Sequence, residues 1–153
     1  MPFPVSDCIF DNNNANYGDA IYSLIYNGVN VDYNFFGFQN NITNFPTGLI
    51  DGVSPKNWVV LNINRVNNSY LVNFVLNNGS TLNNFMPDYT ALLNINDNVK
   101  EITIKNNNFN DTYVTGNYTL TSPNTGNVLI KTYFDQHDDS FTALNNLINN
   151  SAI

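Results

Sequence analysis

The chain has 153 residues, enough for one domain that buries roughly 70 % of its unfolded surface. Hydrophobic residues make up 42 % and aromatics 14 %, which excludes a disordered asparagine tract although 34 positions are Asn. Charged residues are only 11 %, against about 25 % in ordinary domains, and the net charge is −7. Counterion release needs clustered cations, so no nucleic-acid partner is expected.

The chain opens Met1, Pro2, Phe3, Pro4, Val5. Two prolines stiffen this stretch, and its apolar side chains are costly to leave in water. Residues 1–6 are therefore a candidate extended arm that docks on a neighbour, weighed against the plainer reading of an edge strand of their own domain. No basic start leads into an apolar run, and no window approaches about 18 apolar residues, so neither a secretory signal nor a membrane span is legible. Cys8 is the single cysteine, which rules out an intrachain disulfide and reads as a buried thiol in a reducing cytoplasm.

Residues 20–38 carry two patterns. Tyr17, Ala20, Ile21, Leu24 and Ile25 have helical spacing, yet Asn27-Gly28 between β-branched and aromatic runs is a strong hairpin signal, and the hairpin is preferred. Phe35, Phe36 and Phe38 follow as a candidate interface patch beside Met1 to Val5.

From 57 to 80 the chain alternates. Val59, Leu61 and Ile63 share one face, Tyr70, Val72, Phe74 and Leu76 another, and Asn62, Asn64 and Asn73 point the opposite way. Turns are expected at 66–69 and 77–80, because Asn and Gly tolerate positive φ, with the meander continuing into 81–86. Residues 43–57, 86–98 and 106–111 read as loops. Ile102 and Ile104 mark a strand, and 116–134 reads as a hairpin turning at Ser122 to Gly126, with Tyr118 and Leu120 near Val128, Ile130 and Phe134. After Asp138, Asp139 and Ser140, which offer N-cap oxygens, Phe141, Leu144, Leu147 and Ile148 predict a short amphipathic helix over 139–150. Short strands without a dividing linker indicate one all-β domain over 1–153, an antiparallel β-sandwich of immunoglobulin-like or jelly-roll type.

Reactive chemistry is sparse. His137, the one histidine, lies among Asp135, Asp138 and Asp139, but this spacing matches no metal loop, and aspartates before a helix act as caps. Glu101 is the single glutamate, and Asp32, Asp51, Asp88, Asp97 and Asp111 stand at turns, where Asp is common. No enzyme, cofactor or metal is expected. The six Asn-x-Ser/Thr sequons match what this composition yields by chance. Trp58, Tyr70, Tyr89, Tyr113 and Tyr133, with the asparagines, make a glycan the alternative ligand, since rings stack on sugars and amides pair with hydroxyls.

An AT-rich genome accounts for much of the asparagine, whose codons are AT-rich. The physical consequence is a surface of amides, which packs against copies of itself without like-charge repulsion. Within residues 17–36, Gly18, Asp19, Asn27, Gly28, Val29, Val31 and Asp32 resemble the opening of small β-sandwich modules in tailed-phage virions, such as upper baseplate domains. Where such modules continue with small Thr or Gly residues, this chain has Phe35, Phe36 and Phe38. The resemblance implies a virion structural protein, a head decoration protein or tail component made in the host cytoplasm, whose partners are other virion proteins or copies of itself.

Overall fold

The computed structural model describes residues 3–11, 13, 20–23, 29–37 and 50–135, without the side chains of Phe3 and Tyr22. Four short strands, β1 (Phe3–Pro4), β2 (Ile21–Tyr22), β3 (Val29–Asn30) and β4 (Ile50–Asp51), precede seven longer ones. These are β5 (Val59–Val66), β6 (Ser69–Leu76), β7 (Tyr89–Ile95), β8 (Asn98–Ile104), β9 (Asn108–Thr112), β10 (Gly116–Thr121) and β11 (Val128–Phe134). The longer strands form two antiparallel sheets, in the orders β5-β6-β9 and β11-β10-β7-β8.

Asparagine sets the turns. Asn67 turns β5 into β6 at φ 54°, and Asn96 and Asp97, at φ 50° and 69°, give the β7–β8 hairpin the two left-handed residues of a type I′ turn. Asn106 and Asn107 repeat that pair at φ 50° and 69° and carry the chain from β8 into the other sheet at β9. A short polar side chain tolerates this conformation far better than a β-branched one.

Alternate residues of both sheets meet in one core. Val59, Leu61 and Ile63 of β5 and Tyr70, Val72 and Phe74 of β6 join Ala91 and Leu93, Ile102 and Ile104, Tyr118 and Leu120, and Ile130 and Phe134 of the four-stranded sheet. Each such side chain contributes about 1.5–3 kcal/mol by leaving water. Aromatic edges lock the core: the ring centroids of Tyr70 and Tyr118 lie 5.3 Å apart across the two sheets, and those of Tyr118 and Phe134 lie 5.2 Å apart within one. The Tyr118 hydroxyl donates to Val114 O at 2.6 Å and accepts from Val114 N at 3.1 Å, fastening the corner that leads into β10.

The N-terminal residues extend the β5 edge. β1 pairs in parallel with β3, Ile9 bridges Phe35, and Phe35 bridges Val59. A second cluster, Phe36, Trp58, Val60 and Val75 with Phe10, Ala20, Ile21 and Ile50, covers one end of the outer side of the three-stranded sheet.

Three expectations need correction. Tyr89–Ile95 is a central strand, not a loop; Tyr89, Ala91 and Leu93 alternate inward, but the flanking Leu92 blurs the period. Asn108–Thr112 is likewise a strand, paired with β6. Residues 81–86 are irregular rather than a continuing meander, because the Asn107 side chain binds their backbone, accepting from Met86 N at 2.7 Å and donating to Asn84 O at 2.9 Å. Within the 116–134 hairpin, Leu120 faces Ile130, but a register shift at Leu120/Thr121 turns Val128 outward, leaving it 52 % exposed. The hairpin expected over 20–38 is also corrected: β2 pairs in parallel with β4 and β3 with β1, so the strands on either side of Asn27-Gly28 are not partners, since each finds its ladder on a distant segment. The C-terminal helix, His137 and the Asn27-Gly28 turn itself lie outside the described residues.

Candidate functional site

The outer face of the three-stranded sheet follows directly from register. Asn62 opposes Asn73, which opposes Asn108; the next row is Asn64, Leu71 and Asn110, and the last is Val66, Ser69 and Thr112. These three rows hold five asparagines and no ionisable side chain, in a chain of net charge −7. Directly opposed side chains on one face sit within mutual reach, so each row is a ladder of amides with Leu71 at its centre. Asn62 is buried, Asn64, Leu71 and Asn73 are half-buried, and Asn108 and Asn110 are exposed. The Oδ1 atoms of Asn64 and Asn73 are buried and accept no hydrogen bond among the described residues. Buried acceptors left unpaired in this way cost free energy. Beside them Val66, Asn67, Asn68, Ser69, Leu71 and Asn110 line a shallow groove of about 390 Å³.

The opposite outer face differs. There Thr121, Leu92 and Glu101 form one row, Lys131, Thr119, Asn94 and Val99 another, and Thr90 and Thr103 bond through their hydroxyls at 3.1 Å. It is a mixed face with charges of both signs.

Charge elsewhere does structural work. Lys100 Nζ lies 2.6 Å from Asp111 Oδ2, clasping β8 to β9 across the layers. The ammonium holds the Asp111 carboxyl below its ordinary range, with help from Thr112 N, and the carboxylate raises Lys100 in return. Burial raises the Tyr70 phenol, an effect that the nearby Lys100 partly offsets. Asp11 Oδ2 accepts from Tyr89 Oη at 3.1 Å, Ser122 Oγ at 3.1 Å and Asn124 Nδ2 at 3.3 Å, which ties the N-terminal segment to the start of β7 and the end of β10. Burial drives the Tyr89 phenol far above its ordinary value. Asp32 accepts from Lys56 N and Asn57 Nδ2, pinning a loop. Among the described residues, no group of three or more His, Cys, Asp or Glu side chains is placed to hold a metal ion.

The residues singled out in the sequence do not form one patch. Phe35 and Phe36 are 1 % and 2 % exposed, so they are interior side chains, not an interface: Phe35 packs edge-on against Phe74 and Tyr89, and Phe36 lies in the second cluster. Phe3 and Pro4 form β1, and Val5 N donates to Asn30 O at 2.8 Å, so this stretch pairs within its own chain. Met1, Pro2 and Phe38 lie outside the described residues.

Of the aromatics considered for sugars, Trp58, Tyr70 and Tyr89 are buried: Tyr70 and Tyr89 point inward from β6 and β7, and Trp58, just before β5, lies in the second cluster. Tyr113 is half-buried beneath the Arg65 guanidinium, 3.9 Å from its ring centroid, and Tyr133 is 54 % exposed on β11. No stacking platform unites them.

Sequence reasoning missed Asn34. It is fully buried inside an apolar run, where periodicity assigns a polar residue no role, and its amide binds the backbone of a distant segment. No protein-family model, no curated protein and no solved structure matches this chain.

Proposed function

We propose that this chain is a non-enzymatic structural protein that acts by adhesion, packing its amide face against copies of itself or other proteins of a virus particle. The observation that carries the reading is the block of five asparagines and no charges on a chain of net charge −7. Carboxylate-bearing surfaces of like-charged copies repel, whereas amides offer both donors and acceptors and cost less to desolvate than ions. Self-complementarity is what a symmetric contact requires. The tailed-phage virion, as head decoration or tail component, is the setting suggested by residues 17–36.

An immunoglobulin-like sandwich is the fold reading favoured over a jelly roll. Its support is the strand order, two strands in one sheet, two in the other, β9 back beside β6, then β10 beside β7 and β11 beside β10. A tyrosine near the start of the strand after that return, bonded to backbone a few residues upstream, is a hallmark of such folds, and Tyr118 fits it. The glycan reading loses Trp58, Tyr70 and Tyr89 to burial.

Size-exclusion chromatography with light scattering, across protein concentration at low and high salt, tests the reading. Wild type is expected to form salt-insensitive oligomers, and Asn73→Lys to weaken them at least about tenfold, a loss of about 1.4 kcal/mol. A strict monomer at every concentration sinks self-packing. Oligomers unaffected by Asn73→Lys would place the contact elsewhere.

A further inference from the structure

Residues 3–11 are held to residues 29–36 chiefly through main-chain atoms. Val5 N donates to Asn30 O at 2.8 Å, Asp7 N to Tyr33 O at 2.9 Å, Phe35 N to Cys8 O at 3.0 Å and Phe10 N to Phe35 O at 2.8 Å. The buried Asn34 amide adds a fork: its Oδ1 accepts from Cys8 N at 3.0 Å and its Nδ2 donates to Val5 O at 2.8 Å. This is the chemistry by which an open sheet edge recognises an extended peptide, with backbone bonds giving affinity and pockets fixing register. The pockets are present: Ile9 packs on the main core, Phe10 stacks on Phe36 with centroids 5.4 Å apart, and Asp11 plugs into Tyr89, Ser122 and Asn124.

None of these bonds requires that donor and acceptor belong to one chain. Regular pairing covers only Phe3–Pro4 with Val29–Asn30, and beyond it stands the single Ile9–Phe35 bridge. Releasing the segment breaks the main-chain bonds, the Asn34 fork and the Asp11 bonds, and an exchanged pair re-forms every one of them. We propose that the 29–36 edge accepts residues 3–11 of a second copy in place of the chain's own, so that copies link by reciprocal strand exchange. A second copy is the occupant because it supplies the identical segment, with Ile9, Phe10 and Asp11 already matched to their pockets. Exchange of an identical element also links protomers at low cost, since it recreates contacts that already exist. The proposal shares with the adhesion reading only its partner and makes no use of the amide face.

The test introduces Pro4→Cys and Asn30→Cys, an exposed pair in register, into a Cys8→Ser chain. One disulfide then reports both states: within a chain it gives a monomer on a non-reducing gel, across an exchanged pair a covalent dimer. Exchange predicts a dimer fraction that rises about tenfold per tenfold increase in concentration while monomer dominates, well above both single-cysteine controls. Adding Asn73→Lys should leave that fraction unchanged, which separates failure of this proposal from failure of the amide-face reading. A dimer fraction no higher than the controls overturns exchange.

A measurement on the native chain guards against misfolded variants. Nitrogen-15-labelled and unlabelled protein are mixed at high concentration, diluted and weighed by native mass spectrometry. Mixed-mass dimers that outlast dilution support exchange; dimers that vanish at once, or monomers alone, overturn it.

Discussion

The two faces of β5 and β6 belong to the same sixteen residues and carry opposite chemistry. Inward go Val59, Leu61, Ile63, Tyr70, Val72 and Phe74, each no more than 2 % exposed; outward go Asn62, Asn64, Leu71 and Asn73, in register with Asn108 and Asn110 of β9. The inner face has one task, to leave water, and any well-fitting hydrophobe performs it. The outer face has none of the charges that normally keep a sheet surface solvated and separate. A face built this way suits a neighbour.

Three comparisons would break or sharpen that contrast. The largest effect belongs to the inner face: Ile63→Ala should cost about 3 kcal/mol by cavity formation, measured by urea unfolding. Next door, Asn64→Ala should change stability by less than about 0.5 kcal/mol, because its Oδ1 has no partner to lose among the described residues. Equal costs for the two would mean that the outer face is structural.

An intermediate effect separates amides that hold the chain together from amides that face outward. Asn34→Ala strands Cys8 N and Val5 O and should cost about 2 kcal/mol, while Asn73→Ala should cost almost nothing in the same assay.

The smallest effect is in pH. Asp111 is lowered by Lys100, so its contribution is present above the ordinary carboxylate range and lost as pH falls through the depressed value. Lys100 is raised by Asp111, so its part is lost as pH rises through the elevated one. Both side chains are nearly half exposed, at 44 % and 47 %, which limits the pair to about 0.5 kcal/mol. Lys100→Met should therefore flatten the acid limb of Tm only slightly, and only below about pH 5, where unfolded carboxylates begin to take up protons. The buried phenols of Tyr70, Tyr89 and Tyr118 are all raised, so both proteins should lose further stability above about pH 10, where unfolded tyrosine ionises.

Much of the core was legible because period-two alternation is local. Val59, Leu61 and Ile63, and Tyr118 with Leu120, fall inside as the spacing predicts. Phe35 and Phe36 misled because a run of aromatics looks the same whether it faces a partner or the chain's own strands. The candidate surface was legible only as a direction for Asn62, Asn64 and Asn73; the partners that complete its rows, Asn108 and Asn110, were in a segment read as a loop.

The amino-acid sequence alone determined that the described part of the chain is all-β, with turns cut by Asn and Gly and strands whose alternate side chains seek burial, since those preferences act between near neighbours. Tertiary structure alone decided which strands share a sheet, that β9 returns beside β6 so that five amides line up, and that Asn34 and Asp11 reach across to distant segments. Such pairings join residues far apart in the chain, and nothing in local spacing encodes which distant backbone a buried amide will meet.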